Sequence, residues 1–282
     1  MAIPILQFWE KYYTNPDEGL GSTYERFIIN EVLFKTVKHF KIKKVLEAPS
    51  FGFTGMSGIN SMGLVQKNCE ISLIDHDQNR INYIKNTWNS MNMSLDIRFC
   101  DDYLNLPFED KSFEMSWNFS ALWFTPDLKL FLKELDRLSS KVILLMVPNQ
   151  TGIGYLQQKY TGKDDLKKYL NEDCIKIPNI KSIMNQMGWK LLSHELIDCP
   201  LWPDIGMSKE DFLKKFHLDF LIKKPKVQIN NNPLTILDYY SGAKPEMIND
   251  MKKYEFFERN APNTFKKIWS HHQYLLFVKN EK

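Results

Sequence analysis

Acidic residues close successive predicted strands, and glycines follow the first of them. Glu47 ends the apolar segment 44–47 and precedes Gly52, Gly55 and Gly58. Asp75 ends the next such segment, somewhat beyond the offset of about 20 residues at which an acid meets ribose hydroxyls in dinucleotide folds. A strand, an acid and a glycine loop commonly hold a nucleotide-type cofactor, so this region is the first candidate for a binding site.

A third acid, Asp102, follows the predicted strand 95–100. Any one acid in a surface loop could equally be a solvated turn or a helix cap. The shared position of the three acids favours a site, because the carboxyl ends of parallel strands meet at one edge of a sheet. A carboxylate there can accept two hydroxyl donors at once.

Apolar periodicity predicts strands that alternate with amphipathic helices. The predicted strands are 44–47, 70–75, 95–100, 113–119, 141–148, 189–198 and 274–278. The predicted helices are 25–40, 57–67 (with Ser57 as a possible N-cap), 77–91, 126–138 and 179–188. This alternation predicts an α/β fold with a doubly wound, mostly parallel sheet.

The segment 102–119, DYLNLPFEDKSFEMSWNF, carries a family resemblance. It resembles the corresponding stretch of class I S-adenosylmethionine-dependent methyltransferases, particularly the UbiE-like "methyltransferase type 11" group. The resemblance extends over about residues 43–148 and weakens in the last two strands. It implies a seven-stranded Rossmann-like methyltransferase fold and S-adenosylmethionine as the cofactor.

The resemblance also implies a role for each candidate residue. The loop with Pro49, Gly52 and Gly55 would approach the backbone of the cofactor, and Glu47 would lie beneath its methionine moiety. The other implied contacts are Asp75 with the ribose hydroxyls, Asp102 with the adenine amino group, His76 and Tyr103 flanking the adenine ring, and Asn118 and Phe119 beside the sulfonium.

The first loop departs from the family pattern. Where the family has glycines, this chain has Pro49, Phe51 and Phe53. Two interpretations follow: a longer loop that still holds S-adenosylmethionine, or a non-catalytic cofactor-binding or scaffold protein that has kept the fold. A dinucleotide cofactor fits less well, because it needs a GxGxxG turn to secure its pyrophosphate, and S-adenosylmethionine has no phosphate.

The remaining segments predict a cap on a single domain that spans 1–282. The core would comprise about 25–148, 178–199 and 271–280, and the cap insertions about 1–24, 149–177 and 200–270. Since the insertions are rich in aromatic residues and pockets are mostly apolar, we expect a small, partly apolar metabolite as methyl acceptor. The predicted substrate residues are Tyr12, Tyr24, Asn149 and Trp202, and no catalytic base is predicted.

Composition excludes several other classes of protein. The net charge of +3 is too small for a dedicated nucleic-acid binder, and no apolar run reaches the ~18–20 residues of a membrane span. The four cysteines are isolated and show no zinc-ligand spacing, so we predict no metal site and a reducing, cytoplasmic location. The oligomeric state stays open.

Overall fold

The computed structural model describes residues 10, 12–51, 55–161, 170–202 and 234–279. Gly52 and Phe53 of the first loop therefore lie outside the described residues. Seven strands form one sheet in the order β3-β2-β1-β4-β5-β7-β6. The strands are β1 (Lys44–Glu47), β2 (Glu70–Asp75), β3 (Asp96–Phe99), β4 (Phe113–Phe119), β5 (Ser139–Pro148), β6 (Trp189–Ile197) and β7 (His272–Lys279).

The sheet is parallel from β3 through β5, and β7 runs antiparallel to both of its neighbours. The predicted α/β, doubly wound, mostly parallel fold is confirmed. Strand order reverses between β1 and β4, and ligands bind at this position in open α/β sheets. Because β7 is reversed, its first residue, His272, joins the edge at which the parallel strands end.

Helices cover both faces of the sheet. Their described bounds are α1 (Gly19–Phe40), α2 (Met62–Val65), α3 (Gln78–Ser90), α4 (Leu128–Leu138), α5 (Ile153–Thr161), α6 (Ile177–Gln186), α7 (Leu237–Tyr240), α8 (Met247–Lys252), α9 (Phe256–Asn260) and α10 (Asn263–Trp269). Asp77 and Asp127 cap α3 and α4, since each carboxylate accepts a backbone N–H from the first turn.

The prediction that a helix begins at Ser57 was wrong. The chain is in turns until Met62, because Gly58 has a φ of +73°, which a right-handed helix does not allow. The Gly58 N–H donates to the carbonyl of Ser50 at 2.9 Å, and its own carbonyl accepts from Trp88 Nε1 at 2.8 Å. The loop after β1 is therefore folded back onto itself and pinned to α3.

Two large apolar clusters, one on each face of the sheet, make up most of the core. One joins α1, α2 and α3 to the sheet, and the other joins α4 and α6. The described part of the third insertion packs on α1, where Asn30 Nδ2 donates to Tyr240 Oη at 2.9 Å. The division into core and cap stays a prediction, because residues 203–233 lie outside the described ranges.

Among the helices that the structure describes, none combines the length and apolar character needed to cross a membrane.

Candidate functional site

Glu47 lies at the carboxyl end of β1 and is buried beneath the first loop. Its Oε2 accepts a hydrogen bond from Ser61 Oγ at 2.5 Å, and Trp117 Nε1 donates to the same hydroxyl at 3.0 Å. Burial raises the pKa of Glu47 to about 8, against the lowering effect of its hydrogen bonds. This carboxyl group is thus tied to the turn that precedes α2.

Gly55 is required by a close approach of the N-terminal region. A Cβ at this position would collide with the side chains of Glu18 and Arg26, which form a buried ion pair. Glu18 Oε1 accepts from the N–H of Met56 at 2.7 Å, and Arg26 Nη2 donates to the Met56 carbonyl at 3.0 Å. These contacts give Gly55 a structural reason to be glycine, independent of any cofactor.

Asp75, the predicted acceptor of the ribose hydroxyls, is fully buried and already saturated with donors. Its Oδ2 accepts from Arg80 Nε at 2.7 Å and from Ser50 Oγ at 3.1 Å. Its Oδ1 accepts from Arg80 Nη2 at 2.6 Å and from the N–H of Asp77 at 2.9 Å. Since a carboxylate offers about four acceptor positions, this arrangement leaves none for the ribose.

Phe51 fills space beside this ion pair. Its ring centroid lies 5.0 Å from Arg80 Cζ and 5.0 Å from the His76 ring. The rings of Tyr103 and Phe124 lie 6.1 and 5.7 Å away. The side chain that stands in place of a family glycine is therefore packed between the ends of β1 and β2.

His76 and Tyr103, which the resemblance placed on either side of adenine, contact each other instead. His76 Nδ1 and Tyr103 Oη lie 2.9 Å apart, and the two rings are nearly perpendicular at 87°. Burial, with a contribution from Arg80, lowers the pKa of His76. Asp102 is exposed and accepts from the N–H of Leu104 at 3.0 Å. In this arrangement no slot for a planar ring lies between His76 and Tyr103.

Buried polar atoms without hydrogen-bond partners among the described residues lie at the end of β4 and in the loop after β1. Asn118 Nδ2 donates to the Ala48 carbonyl at 3.3 Å, beside Pro49, which ties β4 to the first loop. Asn118 Oδ1 is buried and has no hydrogen-bond partner among the described residues, and the same is true of Ser57 Oγ and Ser120 Oγ. Buried polar groups are normally satisfied, so these three atoms indicate a polar ligand at this edge.

The predicted substrate residues Tyr24 and Trp202 come together, and Tyr12 lies elsewhere. The rings of Tyr24 and Trp202 meet edge to face at 5.7 Å. Trp202 also meets the ring of Tyr254 at 5.1 Å. Tyr12 is half-buried, and its pKa is raised by burial and by the charge of Glu18, so it lies near the N-terminal ion pair.

Asn149 does not face an open pocket, which corrects its predicted role in orienting a substrate. Its Nδ2 donates to the carbonyls of Lys267 and Ser270, both at 2.9 Å. Its Oδ1 accepts from Thr151, from the N–H at 3.2 Å and from Oγ1 at 2.8 Å. The amide instead fastens the end of β5 to the segment that leads into β7.

Sequence reasoning did not identify Arg80 or Phe51 as partners of the site. Arg80 lies one helical turn after the Asp77 cap, and this spacing lets it reach back to Asp75. Sequence reasoning also missed the buried group of Glu25, Asp198 and His272, whose members are far apart in the chain. The ring of His272 lies 4.6 Å from that of Phe119, so this group adjoins the end of β4.

The fold and the site geometry define a class of protein. The strand order with one reversed strand is that of the class I methyltransferases, and residues 54–142 match the family model described as "Methyltransferase domain". Residues 54–142 thus carry a methyltransferase domain, as the resemblance implied. The sequence matches no curated protein.

Solved structures share this fold at low sequence identity. A proposed sarcosine dimethylglycine methyltransferase from Galdieria sulphuraria has a TM-score of 0.52 at 13% identity, over 89% of this chain and 85% of that one. The MccD protein has a TM-score of 0.52 at 14% identity, over 89% and 96%. A Haemonchus contortus phosphoethanolamine N-methyltransferase has a TM-score of 0.50 at 13% identity, over 89% and 53%.

S-adenosylmethionine is the cofactor that the methyltransferase domain implies, and the residues present fit it unevenly. At the end of β4, the unsatisfied oxygen of Asn118 suits the polar methionine moiety. At the end of β2 the residues do not fit as they stand, because Arg80 and Ser50 already use the carboxylate of Asp75. Adenosine binding at Asp75 therefore requires Arg80 to give up its hydrogen bonds.

Proposed function

We propose that this chain methylates a small, partly apolar metabolite that binds next to Phe119. The observation that carries the proposal is a chain of contacts at the carboxyl edge of the sheet. The rings of Phe119 and His272 lie 4.6 Å apart, and His272 in turn contacts Asp198 at 3.4 Å. The charge of Asp198 contributes, after burial, to the raised pKa of Tyr24. The Tyr24–Trp202 pair therefore lies near Asp198.

Such a surface suits a small acceptor with an apolar body and a polar group. Aromatic side chains supply apolar walls, and a few polar groups fix the orientation, as in most small-molecule sites. The fold neighbour from Haemonchus contortus holds phosphomonomethylethanolamine with S-adenosylhomocysteine, so this fold accommodates an acceptor of that size. The described cysteines are free thiols, which supports the cytoplasm as the location.

The residues of this site would act by holding and enclosing the acceptor. The cofactor supplies the methyl group, and transfer depends mainly on alignment and on exclusion of water. We assign to Phe119, Tyr24 and Trp202 the exclusion of water from the acceptor. Asn118 Oδ1 is the group that we assign to the polar end of the cofactor, because it is buried and has no partner among the described residues.

A second candidate is a non-catalytic protein that keeps the methyltransferase fold. One specific observation favours it: Asp75 is saturated by Arg80, Ser50 and a backbone N–H. Phe51 at a glycine position of the family points the same way.

Calorimetry followed by a transfer assay tests the two candidates. The purified protein is titrated with S-adenosylmethionine and with S-adenosylhomocysteine, and then incubated with methyl-labelled donor and a panel of small metabolites. The proposal expects heat of binding for both cofactor forms and label in one class of acceptor. Absence of binding for both forms would overturn it and favour the non-catalytic candidate. Binding without transfer to any panel member would overturn the acceptor class.

A further inference from the structure

Three ionisable side chains meet in the buried edge between α1, β6 and β7. Glu25 belongs to α1, Asp198 follows β6 directly, and His272 begins β7. His272 Nδ1 lies 3.4 Å from Asp198 Oδ2 and 3.5 Å from Glu25 Oε2. The side chains of His272, Asp198 and Glu25 are 12%, 4% and 10% exposed, so the group is largely removed from solvent.

These separations are those of ligand atoms around a small cation. Good N–H···O hydrogen bonds span about 2.7–3.2 Å, so both contacts of His272 Nδ1 are longer than a well-formed hydrogen bond. Around a tetrahedral zinc ion with bonds of about 2.1 Å, neighbouring ligand atoms lie roughly 3.4 Å apart. One ligand atom from each member of the group lies within 4.8 Å of the ligand atoms of the other two, so all three can reach one ion.

Asp198 is a buried carboxylate that has no ion pair with a lysine or arginine among the described residues. Its two ion pairs are with His271 and His272, and these imidazoles carry charge only when protonated. Buried carboxylates are normally paired with a positive group or coordinate a metal. His271 Nδ1 lies 2.9 Å from Asp198 Oδ2 and so holds this carboxylate in place, as outer partners of metal ligands commonly do.

A separate observation comes from Tyr24. Its hydroxyl is buried and has no hydrogen-bond partner within the described ranges. Burial is the main cause of the raised pKa of Tyr24, and the charge of Asp198, a member of the group, contributes to it, so this hydroxyl lies near Asp198. An unsatisfied hydroxyl next to the cluster is the group that a ligand of the ion would contact.

We propose that Glu25, Asp198 and His272 bind a divalent transition-metal ion, with Zn²⁺ the best match to their oxygen and nitrogen donors and to their spacing. Three protein ligands leave one position of a tetrahedral ion open, as in catalytic zinc sites. The prediction of no metal site considered only short cysteine and histidine spacings. These three ligands come from distant parts of the chain.

The position of the site suggests a use for the ion. The rings of His272 and Phe119 lie 4.6 Å apart, so an ion held by His272 would be near the end of β4, where we propose that the acceptor binds. An ion there would hold an oxygen or nitrogen of the acceptor and lower its pKa. This role rests on the proposed function, whereas metal binding itself does not.

Metal titration of the full chain tests the inference. Tag-free protein is treated with a chelator, dialysed and titrated with ZnCl₂ by calorimetry. CoCl₂ then serves as a visible-absorption probe of tetrahedral coordination. We expect one equivalent to bind. Glu25→Gln and His272→Ala should each weaken zinc binding by on the order of 100-fold or more. The matched control His194→Ala removes a histidine of β6 outside the cluster and should leave binding unchanged.

Two results would overturn the inference. One is the absence of stoichiometric binding by the parent protein. The other is equal affinity in the parent, Glu25→Gln and His272→Ala, which would mean that the ion binds elsewhere. Circular dichroism of the variants separates lost ligands from lost folding, and Glu25→Gln keeps the size of the side chain. Because the titration uses neither cofactor nor acceptor, its outcome is independent of whether methyl transfer is detected.

Discussion

Arg80 donates hydrogen bonds to both carboxylate oxygens of Asp75, from Nε at 2.7 Å and from Nη2 at 2.6 Å. Both side chains are almost completely buried, and the ring of Phe51 lies over the guanidinium group. The strand-tip acid that resembles the ribose-binding group of the family is thus part of an internal ion pair. The first two predictions below follow from this contact.

Replacement of Asp75 should cost stability. Asp75→Ala leaves the buried guanidinium of Arg80 without its partner, and breaking a buried pair in this way costs about 3–5 kcal/mol. The free energy of unfolding from urea titration measures the loss. Asp77→Ala is the control, two residues on, and should cost only the helix cap, about 1 kcal/mol. Similar losses in the two variants would show that the Asp75–Arg80 pair contributes little.

Replacement of Arg80 should strengthen cofactor binding. Arg80→Gln frees acceptor positions on Asp75, and each hydrogen bond to a charged group is worth about 1.5–3 kcal/mol. Since part of this gain is offset by the cost of leaving Asp75 less well paired, we expect an increase of about 10-fold in affinity for S-adenosylmethionine. Calorimetry measures it, with Arg98→Gln, on the exposed side of β3, as the control.

An unchanged affinity in Arg80→Gln would remove Asp75 from the cofactor site. A decrease would mean that Arg80 itself supports the bound cofactor.

Glu47 should make the protein less stable as the pH rises. The folded state keeps the proton of Glu47 up to its raised pKa of about 8, whereas the unfolded chain releases it near 4.5. Between these values the unfolded state binds fewer protons, so the free energy of unfolding falls by up to about 1.4 kcal/mol per pH unit from this group. Glu47→Gln should remove that contribution and keep a side chain that can bond Ser61 Oγ.

The difference between the unfolding free energies of Glu47→Gln and the parent, measured in urea from pH 4.5 to 8, isolates this group. A difference that does not grow with pH would show that Glu47 titrates normally in the folded protein.

The sequence was sufficient for the sheet and insufficient for the contacts within the site. The strands are short apolar runs, so local patterns locate β1, β2 and β4 at the bounds observed. The helix expected from Ser57 fails because Gly58 has a φ of +73°, which the apolar spacing of the segment does not reveal. Asn149 was placed at the correct edge, but its amide binds carbonyls more than a hundred residues along the chain.

The same limit explains Arg80 and the cluster of Glu25, Asp198 and His272. Local spacing predicts which residues share an element face or a strand end. It does not predict which donor reaches a given carboxylate once the elements pack, because that depends on helix position and on side chains from distant segments. Arg80 is near enough in sequence to be considered as a partner of Asp75, but an arginine in the first turn of a helix usually faces solvent.

Replacement of Trp202 should weaken acceptor use without affecting the cofactor. The indole contacts Tyr24 and Tyr254 edge to face and is only partly buried, so part of its surface is available to a ligand. Removal of an aromatic wall costs about 1–2 kcal/mol of contact with an apolar group, which corresponds to an increase of roughly 10-fold in KM for the acceptor. The dissociation constant of S-adenosylmethionine should stay the same, because the residues that we propose for the cofactor lie at the ends of β1, β2 and β4. Tyr160→Ala, at an aromatic side chain that is 78% exposed, is the control for loss of a surface ring.

Steady-state kinetics with the acceptor found in the metabolite panel, together with calorimetry of the cofactor, separate the two constants. An unchanged KM in Trp202→Ala would place the acceptor away from the Tyr24–Trp202 pair, and a parallel loss of cofactor affinity would mean that the substitution disturbs the edge of the sheet as a whole.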